Sequence, residues 1–265
     1  MNEALSLHSH LGERAYEPEN SVLAEFMVNV LVSCHAFEEA LEVFDRLRIK
    51  TAFSWTALIS GYVQEGNPKQ ALRLYDLMLE DGTQPDAYTF VSLLKACSQS
   101  VNLPKGKALH DHAWNNGFKA NAFIGSNLID MYSKCNMLTK SQEVFDELLV
   151  QNIVSWTTLL LGYAQRGHGE EALQCFERMH CETTIMLNVV TLVCMLKASS
   201  SVGAINRGRD IYSKIINGQF QEDVLVGTTS VDMYAKCDII EKVQTEFNEI
   251  QCQNVVSWTA LIAGY

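Results

Sequence analysis

The chain has 265 residues, and at about 150 residues per domain this length corresponds to one or two domains. Hydrophobic residues make up 48% of the sequence, which is enough for a continuous core and excludes a disordered chain. The formal net charge of −11 disfavours indiscriminate binding to nucleic acid or anionic membranes, although one face could still be basic. No apolar run approaches the roughly 20 residues that a membrane-spanning helix needs.

The spacing of the eight cysteines indicates sequence repetition and not disulfide pairing. Cys34, Cys135 and Cys237 are separated by 101 and 102 residues and have similar neighbours. The sequence contains no C-x-x-C, so the usual signatures of zinc ribbons and redox motifs are absent. We therefore expect free thiols and a reducing compartment.

The apolar pattern predicts pairs of helices. The first complete pair has apolar residues at i, i+3, i+4 and i+7 on its first helix: Trp55, Leu58, Ile59 and Tyr62. Gly66 ends this helix, and Asn67-Pro68 supplies a cap and a first-turn proline for the second. The second helix ends at Gly82 and is expected to bury four residues: Ala71, Leu74, Tyr75 and Met78.

The pattern continues along the chain. Further helices are predicted at Tyr88–Ser98, Leu103–Asn116, Ile124–Lys134 and Leu138–Leu148. One helix pair cannot bury its apolar face alone, so neighbouring pairs must stack. The predicted fold is all-α, a right-handed α-solenoid of stacked antiparallel helix pairs.

A period of about one hundred residues organises these pairs. Ser54–Tyr62, Ser155–Tyr163 and Ser257–Tyr265 share the pattern Ser-Trp-Thr-x-Leu-x-x-Gly-Tyr, and their tryptophans are 101 and 102 residues apart. We expect Trp55, Trp156 and Trp258 to be core residues. Alignment of the copies predicts seven repeats: 21–51, 52–86, 87–121, 122–152, 153–188, 189–223 and 224–254.

Both ends of the chain are predicted to lie inside repeats. Residues 255–265 match the start of another repeat, and residues 1–20 match the end of one, since Leu7-His8-Ser9-His10 echoes Leu109-His110-Asp111-His112. We therefore expect a fragment of a longer array. These histidines are expected to pack rather than bind metal, because the third copy has Tyr212 and Lys214 instead.

The repeats resemble a known family. Its typical motifs are matched by Val255-Val-Ser-Trp-Thr-Ala-Leu-Ile-Ala-Gly-Tyr265, Val231-Asp-Met-Tyr-Ala-Lys-Cys237 and Glu143-Val-Phe-Asp-Glu147. These look like pentatricopeptide repeats, specifically the plant subclass built from triplets of a standard, a long and a short repeat. The resemblance extends over essentially the whole chain.

The resemblance implies sequence-specific binding of single-stranded RNA, with one base per repeat, in mitochondria or chloroplasts. It also implies a monomer that does not enter membranes and that directs an editing or processing enzyme in trans. No cofactor or metal is expected. Because the sequence lacks nucleophile constellations, phosphate loops and the combination of H-x-E with C-x-x-C used by zinc deaminases, the chain is not expected to be an enzyme.

In the family, the fifth and last residues of a repeat select the base. The pairs carried over are Thr56 with Asp86, Thr157 with Asn188, Ser126 with Asn152, and Thr228 with Asn254. Threonine with aspartate implies guanine, and threonine or serine with asparagine implies adenine. Val91 with Asn121 and Val193 with Asp223 are expected to be silent, and Glu25 with Thr51 is left unassigned. The implied RNA is N-G-N-A-A-N-A.

Two further sets of residues are implied to contact RNA. The second residues of the repeats are apolar and would sandwich the bases: Val22, Phe53, Tyr88, Phe123, Val154, Val190 and Leu225. Lys134 and Lys236 occupy equal places after the Asp-Met-Tyr motifs and would meet phosphates. Lys95 and Lys197 match each other in the long repeats.

Each assignment has a structural alternative. The last residues could be ordinary caps or turn residues, although better caps are predicted three positions later: Ser54, Thr89, Ser155, Thr191 and Ser257. The fifth-residue hydroxyls could be merely solvated, the second residues could be core, and the lysines could be solvated near helix ends. In the repeat 153–188, an extra residue could turn Asn188 away. The alternative function is a protein–protein interaction scaffold, which the acidic charge would suit.

Overall fold

The computed structural model describes residues 21–182, 188–218, 223–237, 239–250 and 253–265. Across these residues the secondary structure is helical and contains no strand. The first seven helices are α1 Ser21–Ser33, α2 Phe37–Arg46, α3 Ala52–Gln64, α4 Pro68–Glu80, α5 Ala87–Ser100, α6 Leu103–Asn115 and α7 Ala122–Lys134. The others are α8 Leu138–Glu147, α9 Ile153–Gln165, α10 Gly169–Glu182, α11 Val189–Ser201, α12 Ile205–Asn217, α13 Val224–Lys236, α14 Ile240–Glu249 and α15 Val255–Gly264.

The predicted all-α fold of stacked helix pairs is confirmed. The chain forms two compact units that meet in sequence at Cys135 and Asn136. In the first unit, α1, α3, α5 and α7 contact one another in order, while α4 and α6 each pack against the two first helices that flank them in sequence. In the second unit, α9, α11, α13 and α15 form the same kind of row. The predicted helices agree with the observed ones to within two residues.

Local sequence explains the helix boundaries. The Asn67 side chain caps α4 by accepting a hydrogen bond from the Gln70 N–H at 3.3 Å, and Pro68 occupies the first turn. Gly66 and Gly82 have φ of 72° and 79°, a left-handed conformation that favours glycine where each helix must stop. The four residues expected to be buried on α4 are buried.

The short repeats differ from the others in their second helix. Helices α2, α8 and α14 have 10 residues each, whereas α4, α6 and α12 have 13 and α10 has 14. The first helices of complete repeats vary only between 13 and 14 residues. The alternation of repeat lengths therefore leaves the length of the first helices nearly constant. The repeat boundaries themselves stay a prediction.

Edge-to-face aromatic pairs connect consecutive helix pairs. Phe44 with Trp55, Phe145 with Trp156 and Phe247 with Trp258 have ring centroids 4.5–4.7 Å apart. Trp55 and Trp156 are buried, as predicted. Trp258 is 49% exposed, so its assignment to the core was wrong.

The histidines hydrogen-bond to tyrosines. His110 Nδ1 lies 2.8 Å from the Tyr132 hydroxyl, and His112 Nδ1 lies 2.5 Å from that of Tyr75. Burial raises the pKa of Tyr75 to about 12, so its hydroxyl stays protonated at neutral pH. The expected packing role is observed for these two, while His8 and His10 lie outside the described residues.

A carboxyl group is buried at the equivalent place in the third copy. The Tyr212 hydroxyl donates a hydrogen bond to Glu246, whose side chain is buried beside Tyr234. Burial raises the pKa of the Glu246 carboxyl, and the hydrogen bond from Tyr212 only partly opposes this. The fold therefore favours the uncharged carboxyl.

Burial suppresses the reactivity of two cysteines. Desolvation raises the pKa of Cys97 to about 12 and that of Cys194 to about 11, so both thiols are protonated at neutral pH. A search of the described helices found none long and apolar enough to cross a membrane.

Truncating the two tryptophans should separate burial from aromatic pairing. Trp156→Ala should lower the free energy of unfolding by about 3–5 kcal/mol, because it leaves a cavity in a closed core. Trp258→Ala is the matched control, since Trp258 makes the same ring contact while half exposed. The loss in free energy of unfolding caused by Trp258→Ala should be less than half of that caused by Trp156→Ala, as measured by chemical denaturation. Equal costs would contradict this account.

Neutralising the buried carboxyl should stabilise the fold at neutral pH. Because the folded pKa of Glu246 is raised, its favourable contribution is complete below the ordinary value of 4.5 and is lost as pH rises through the folded pKa. Glu246→Gln should therefore raise the Tm at neutral pH. It should also make the Tm depend less on pH above 4.5, the ordinary pKa of this carboxyl group. The exposed Glu241→Gln on the same helix is the control and should not raise the Tm.

Candidate nucleic-acid interface

The last residues of the repeats cap the next first helix. Six side-chain oxygens accept hydrogen bonds from backbone N–H groups two or three residues later, at 2.8–3.2 Å: those of Asp86, Asn121, Asn152, Asn188, Asp223 and Asn254. The prediction of better caps at Ser54, Thr89, Ser155, Thr191 and Ser257 was wrong. These residues lie in the first helical turn, and the extended backbone that a cap requires falls on the residue three positions earlier.

Capping occupies only part of each of these side chains. In Asn152 and Asn254 the carbonyl oxygen makes the capping bond, which leaves the amide group with two donors. In Asp86 the bonds go to Oδ1, so Oδ2 still offers an acceptor. The cap interpretation is therefore correct for one atom of each side chain and does not account for the choice between Asp and Asn.

The fifth and last residues of a repeat lie close together. In 21–51 they touch directly, because the Thr51 hydroxyl donates to Glu25 Oε2 at 2.9 Å. In 52–86 they are connected through one residue of the following helix. Thr56 Oγ1 lies 2.6 Å from Thr89 Oγ1, which in turn lies 2.8 Å from Asp86 Oδ1.

The repeat 153–188 has the same arrangement despite its extra residue. Thr157 Oγ1 lies 2.9 Å from Thr191 Oγ1, which donates to Asn188 Oδ1 at 2.9 Å. Asn188 also accepts from the Thr191 N–H at 2.8 Å. The expected displacement of Asn188 does not occur, and residues 183–187, where the chain departs from the pattern, lie outside the described residues.

The short repeats position the fifth residue differently. The hydroxyls of Ser126 and Thr228 donate to the carbonyls of Ala122 and Val224 in their own helices, at 2.9 and 2.7 Å. Their side chains are only 6–7% exposed, so the alternative that they are merely solvated was wrong.

The second residues of the repeats are exposed. Their side chains are 42–77% accessible: Val22, Phe53, Tyr88, Phe123, Val154, Val190 and Leu225. The alternative that they belong to the core was therefore wrong. Each unit thus exposes several apolar side chains at equal places on its first helices, and exposed apolar groups of this kind commonly mark binding sites.

One cavity in the second unit joins these sets of residues. It has a volume of about 260 Å³ and lies between α11, α13 and α15. The second residues Leu225 and Val256 line it together with the fifth residues Thr228 and Thr259. Lys197 and Asp232 complete its polar lining. Apolar walls and hydrogen-bonding groups thus meet in one space between consecutive first helices.

The lysines are exposed but not all are free of partners. Lys134 and Lys236 each pair with the aspartate one turn earlier, Asp130 and Asp232, at 2.9 and 2.8 Å. Such surface pairs are worth little, so either ammonium group can still turn toward another anion. Lys95 and Lys197 are exposed on α5 and α11.

Sequence comparison identifies the repeats. The profile of the PPR repeat family matches residues 50–99 and 151–201, and that of the PPR repeat matches 126–153. The chain belongs to the pentatricopeptide repeat family. It is 33% identical over 245 residues to the Arabidopsis thaliana pentatricopeptide repeat-containing protein At4g18520, chloroplastic, covering 92% of this chain and 40% of that relative.

Other members give the same result. The mitochondrial At3g13770 of Arabidopsis thaliana is 29% identical over 265 residues, which cover 100% of this chain and 42% of the relative. The crystal structure of PPR10 in complex with an 18-nt psaJ RNA element has a TM-score of 0.72 at 18% identity and covers 99% of this chain and 45% of that one. That of PPR10 from maize has a TM-score of 0.67 at 21% identity, covering 90% and 36%. The chain spans about two fifths of the length of these curated relatives.

The chain contains two H-x-E strings, the motif that supplies part of a zinc deaminase site. They are His168-Gly169-Glu170 and His180-Cys181-Glu182, and neither accompanies a C-x-x-C. His168 lies 3.1 Å from Glu171, and Glu170 accepts from Arg207 at 2.8 Å. Within the described part of the chain, no cluster of three or more His, Cys, Asp or Glu could hold a metal ion.

Substitution of Asn152 should isolate the capping function. Asn152→Ala removes the oxygen that accepts from the Ser155 N–H, and should lower the free energy of unfolding by about 1 kcal/mol. Asn152→Asp keeps an oxygen there and should stay within about 0.5 kcal/mol of the parent, because both residues are good caps. Urea denaturation measures both. A large loss in Asn152→Asp would mean that the amide group is required for folding.

Proposed function

We propose that the chain binds single-stranded RNA sequence-specifically, one base per repeat, and serves as a site-recognition factor in organellar RNA processing or editing. The observation that carries this proposal is that fifth and last residues lie close together in 21–51, 52–86 and 153–188, whose first helices also expose an apolar second residue. The pairs Thr56 with Asp86 and Thr157 with Asn188 are connected by hydrogen bonds. Recognition by a few side chains per helical repeat is an established mode of RNA binding.

The atoms that capping leaves available match different bases. Asn152, Asn188 and Asn254 present an amide donor, which suits an edge that offers an acceptor, as adenine does. Asp86 presents a second carboxylate oxygen, which suits the N–H groups of guanine. The capping oxygen is the same in both cases, so the residue type at this place changes recognition without changing the helix start.

The exposed second residues would separate and stack the bases. Consecutive packed helices are about 8–10 Å apart, whereas stacked bases rise by about 3.4 Å, so one base per repeat requires inserted side chains. Tyr88 and Phe123 are the most exposed of them. Stacking on an aromatic side chain contributes about 1–3 kcal/mol per base.

The charge distribution favours RNA over an acidic scaffold. The eight first helices contain four lysines and three carboxylates, while the seven second helices contain eighteen carboxylates and eleven Lys or Arg. The second helices therefore carry a net charge of −7, whereas the first helices carry +1. A row of first helices that is nearly neutral and slightly basic can approach phosphates.

The organellar role rests on the relatives. At4g18520 is named chloroplastic and At3g13770 mitochondrial, and PPR10 was crystallised with an RNA element. By analogy, this chain would mark a site for an enzyme acting in trans. A monomer is sufficient for this role.

Binding titrations with short RNAs test the proposal. The chain should bind N-G-N-A-A-N-A more tightly than versions in which the G and A positions are exchanged, by about tenfold per exchanged base, since a good base contact is worth about 1–3 kcal/mol. Fluorescence anisotropy with labelled RNA at fixed moderate salt measures this. Equal affinity for every sequence would support the scaffold function instead.

Exchanging one capping residue should change the preferred base. Asp86→Asn keeps the capping oxygen but replaces the second acceptor by a donor, so the preference at the second base should move from G toward A by about tenfold. Asp223→Asn is the matched control, because Asp223 is also a cap but belongs to a repeat whose fifth residue is Val193. It should leave the sixth position without preference. An unchanged preference in Asp86→Asn would overturn the assignment.

A further inference from the structure

Thr89 is a buried residue with three hydrogen-bond partners. Its Oγ1 lies 2.8 Å from Asp86 Oδ1, 3.2 Å from the Asp86 backbone nitrogen and 2.6 Å from Thr56 Oγ1. The side chain has no exposed area. These contacts satisfy the hydroxyl, which has one proton to donate and two lone pairs that accept.

The direction of each bond follows from the partners. A carboxylate only accepts, so the proton of Thr89 goes to Asp86. A backbone N–H only donates, so Asp86 N gives its proton to Thr89. The remaining lone pair of Thr89 must then receive the proton of Thr56. Thr56 consequently spends its only proton inside the protein and presents only lone pairs outward.

The same assignment of donors and acceptors applies to the corresponding residues of the second unit. Asn188 Oδ1 accepts from the Thr191 N–H at 2.8 Å, which identifies this atom as the oxygen of the amide. The Thr191 hydroxyl at 2.9 Å therefore donates to it, and Thr157 at 2.9 Å donates to Thr191. Thr191 has no exposed area either. Two standard repeats thus share one arrangement, which we call the relay: the fifth-residue hydroxyl donates to a buried threonine, and that threonine donates to the last residue of the repeat.

We propose that Thr89 and Thr191 are positioning residues that fix the fifth-residue hydroxyls of Thr56 and Thr157 as acceptors toward the RNA base. The inference rests on the proposed function, since it assigns a cause to the base preference of two repeats. A threonine hydroxyl that is free to rotate donates or accepts equally well, and so discriminates poorly between bases. Held as an acceptor, it favours a base that presents an N–H group.

The relay completes two different recognition patterns. In 52–86, the acceptor Thr56 stands beside the acceptor Asp86, and together they suit the adjacent N–H groups of guanine. In 153–188, the acceptor Thr157 stands beside the Asn188 amide donor, which suits the amino group and ring nitrogen of adenine. The capping oxygens are already occupied in both repeats.

The relay also gives the long repeats a function. Val91 and Val193 cannot hydrogen-bond to a base, so these repeats are silent by their own pairs. Their third residues, Thr89 and Thr191, instead orient the fifth residue of the preceding repeat. The short repeats need no such partner, because Ser126 donates to the Ala122 carbonyl of its own helix at 2.9 Å.

The relay is tested with Thr89→Val in the full chain, which removes the hydroxyl while keeping the side-chain shape. The ratio of affinities for G and A at the second base should fall about fivefold or more, while the A preference at the fourth base is retained as an internal reference for folding. Thr89→Ser should restore at least half of the lost ratio. Thr191→Val should act on the fifth base alone.

Two controls separate a relay from a structural effect. Ser257→Ala removes an equivalent capping box, in which Ser257 accepts from the Asn254 N–H at 2.9 Å, while the fifth residue Thr228 donates to the Val224 carbonyl of its own helix. It should leave the base ratios unchanged. In a Thr56→Val background, Thr89→Val should have no further effect on the ratio, because the hydroxyl through which it acts is gone.

The outcomes separate the two proposals. Absence of any base preference in the parent chain would overturn the proposed function. A parent preference at the second base that Thr89→Val leaves intact would overturn only the relay. So would a uniform loss of affinity with unchanged ratios, since it would mean that Thr89 serves the helix cap alone.

Discussion

The capping hydrogen bond at the start of six of the eight described first helices is the interaction on which the rest of the structure depends. A side-chain oxygen of Asp or Asn accepts a backbone N–H that the helix leaves unpaired. This bond fixes the last residue of one repeat to the first turn of the next. In 52–86 it holds Asp86 close to the fifth residue, because Asp86 is connected to Thr56 through the Thr89 hydroxyl.

The first helices keep a nearly constant length, because the repeats differ in length elsewhere. Short repeats lose a turn from their second helices, and the departure in 153–188 falls after α10. Charge is divided in the same way, with most carboxylates outside the first helices. Variation in length thus falls mainly outside the first helices, on which the candidate fifth and second residues lie.

Sequence analysis predicted the fold well because the repeats reinforce one another. Apolar spacing located the helices to within two residues, and glycine and Asn-Pro signals located their ends. The burial of Trp258 was predicted wrongly, because equivalence of the three tryptophans in sequence does not determine how much of each side chain its neighbours cover. The caps were misplaced by three residues, since Ser and Thr in a first turn have the same composition signal as a cap. The relay through Thr89 was invisible, because it depends on hydroxyl contacts across 33 residues of sequence.

Each capping Asp or Asn side chain uses one atom to cap a helix and leaves another atom available, and this has an evolutionary consequence. Both residues cap a helix almost equally well, so exchange between them leaves the scaffold intact. If these side chains read bases as proposed, a lineage can drift from one preferred nucleotide to another through folded intermediates, without a compensating change elsewhere in the chain. Target choice in such a chain is free to diversify at the rate of single substitutions, while architecture stays under separate selection.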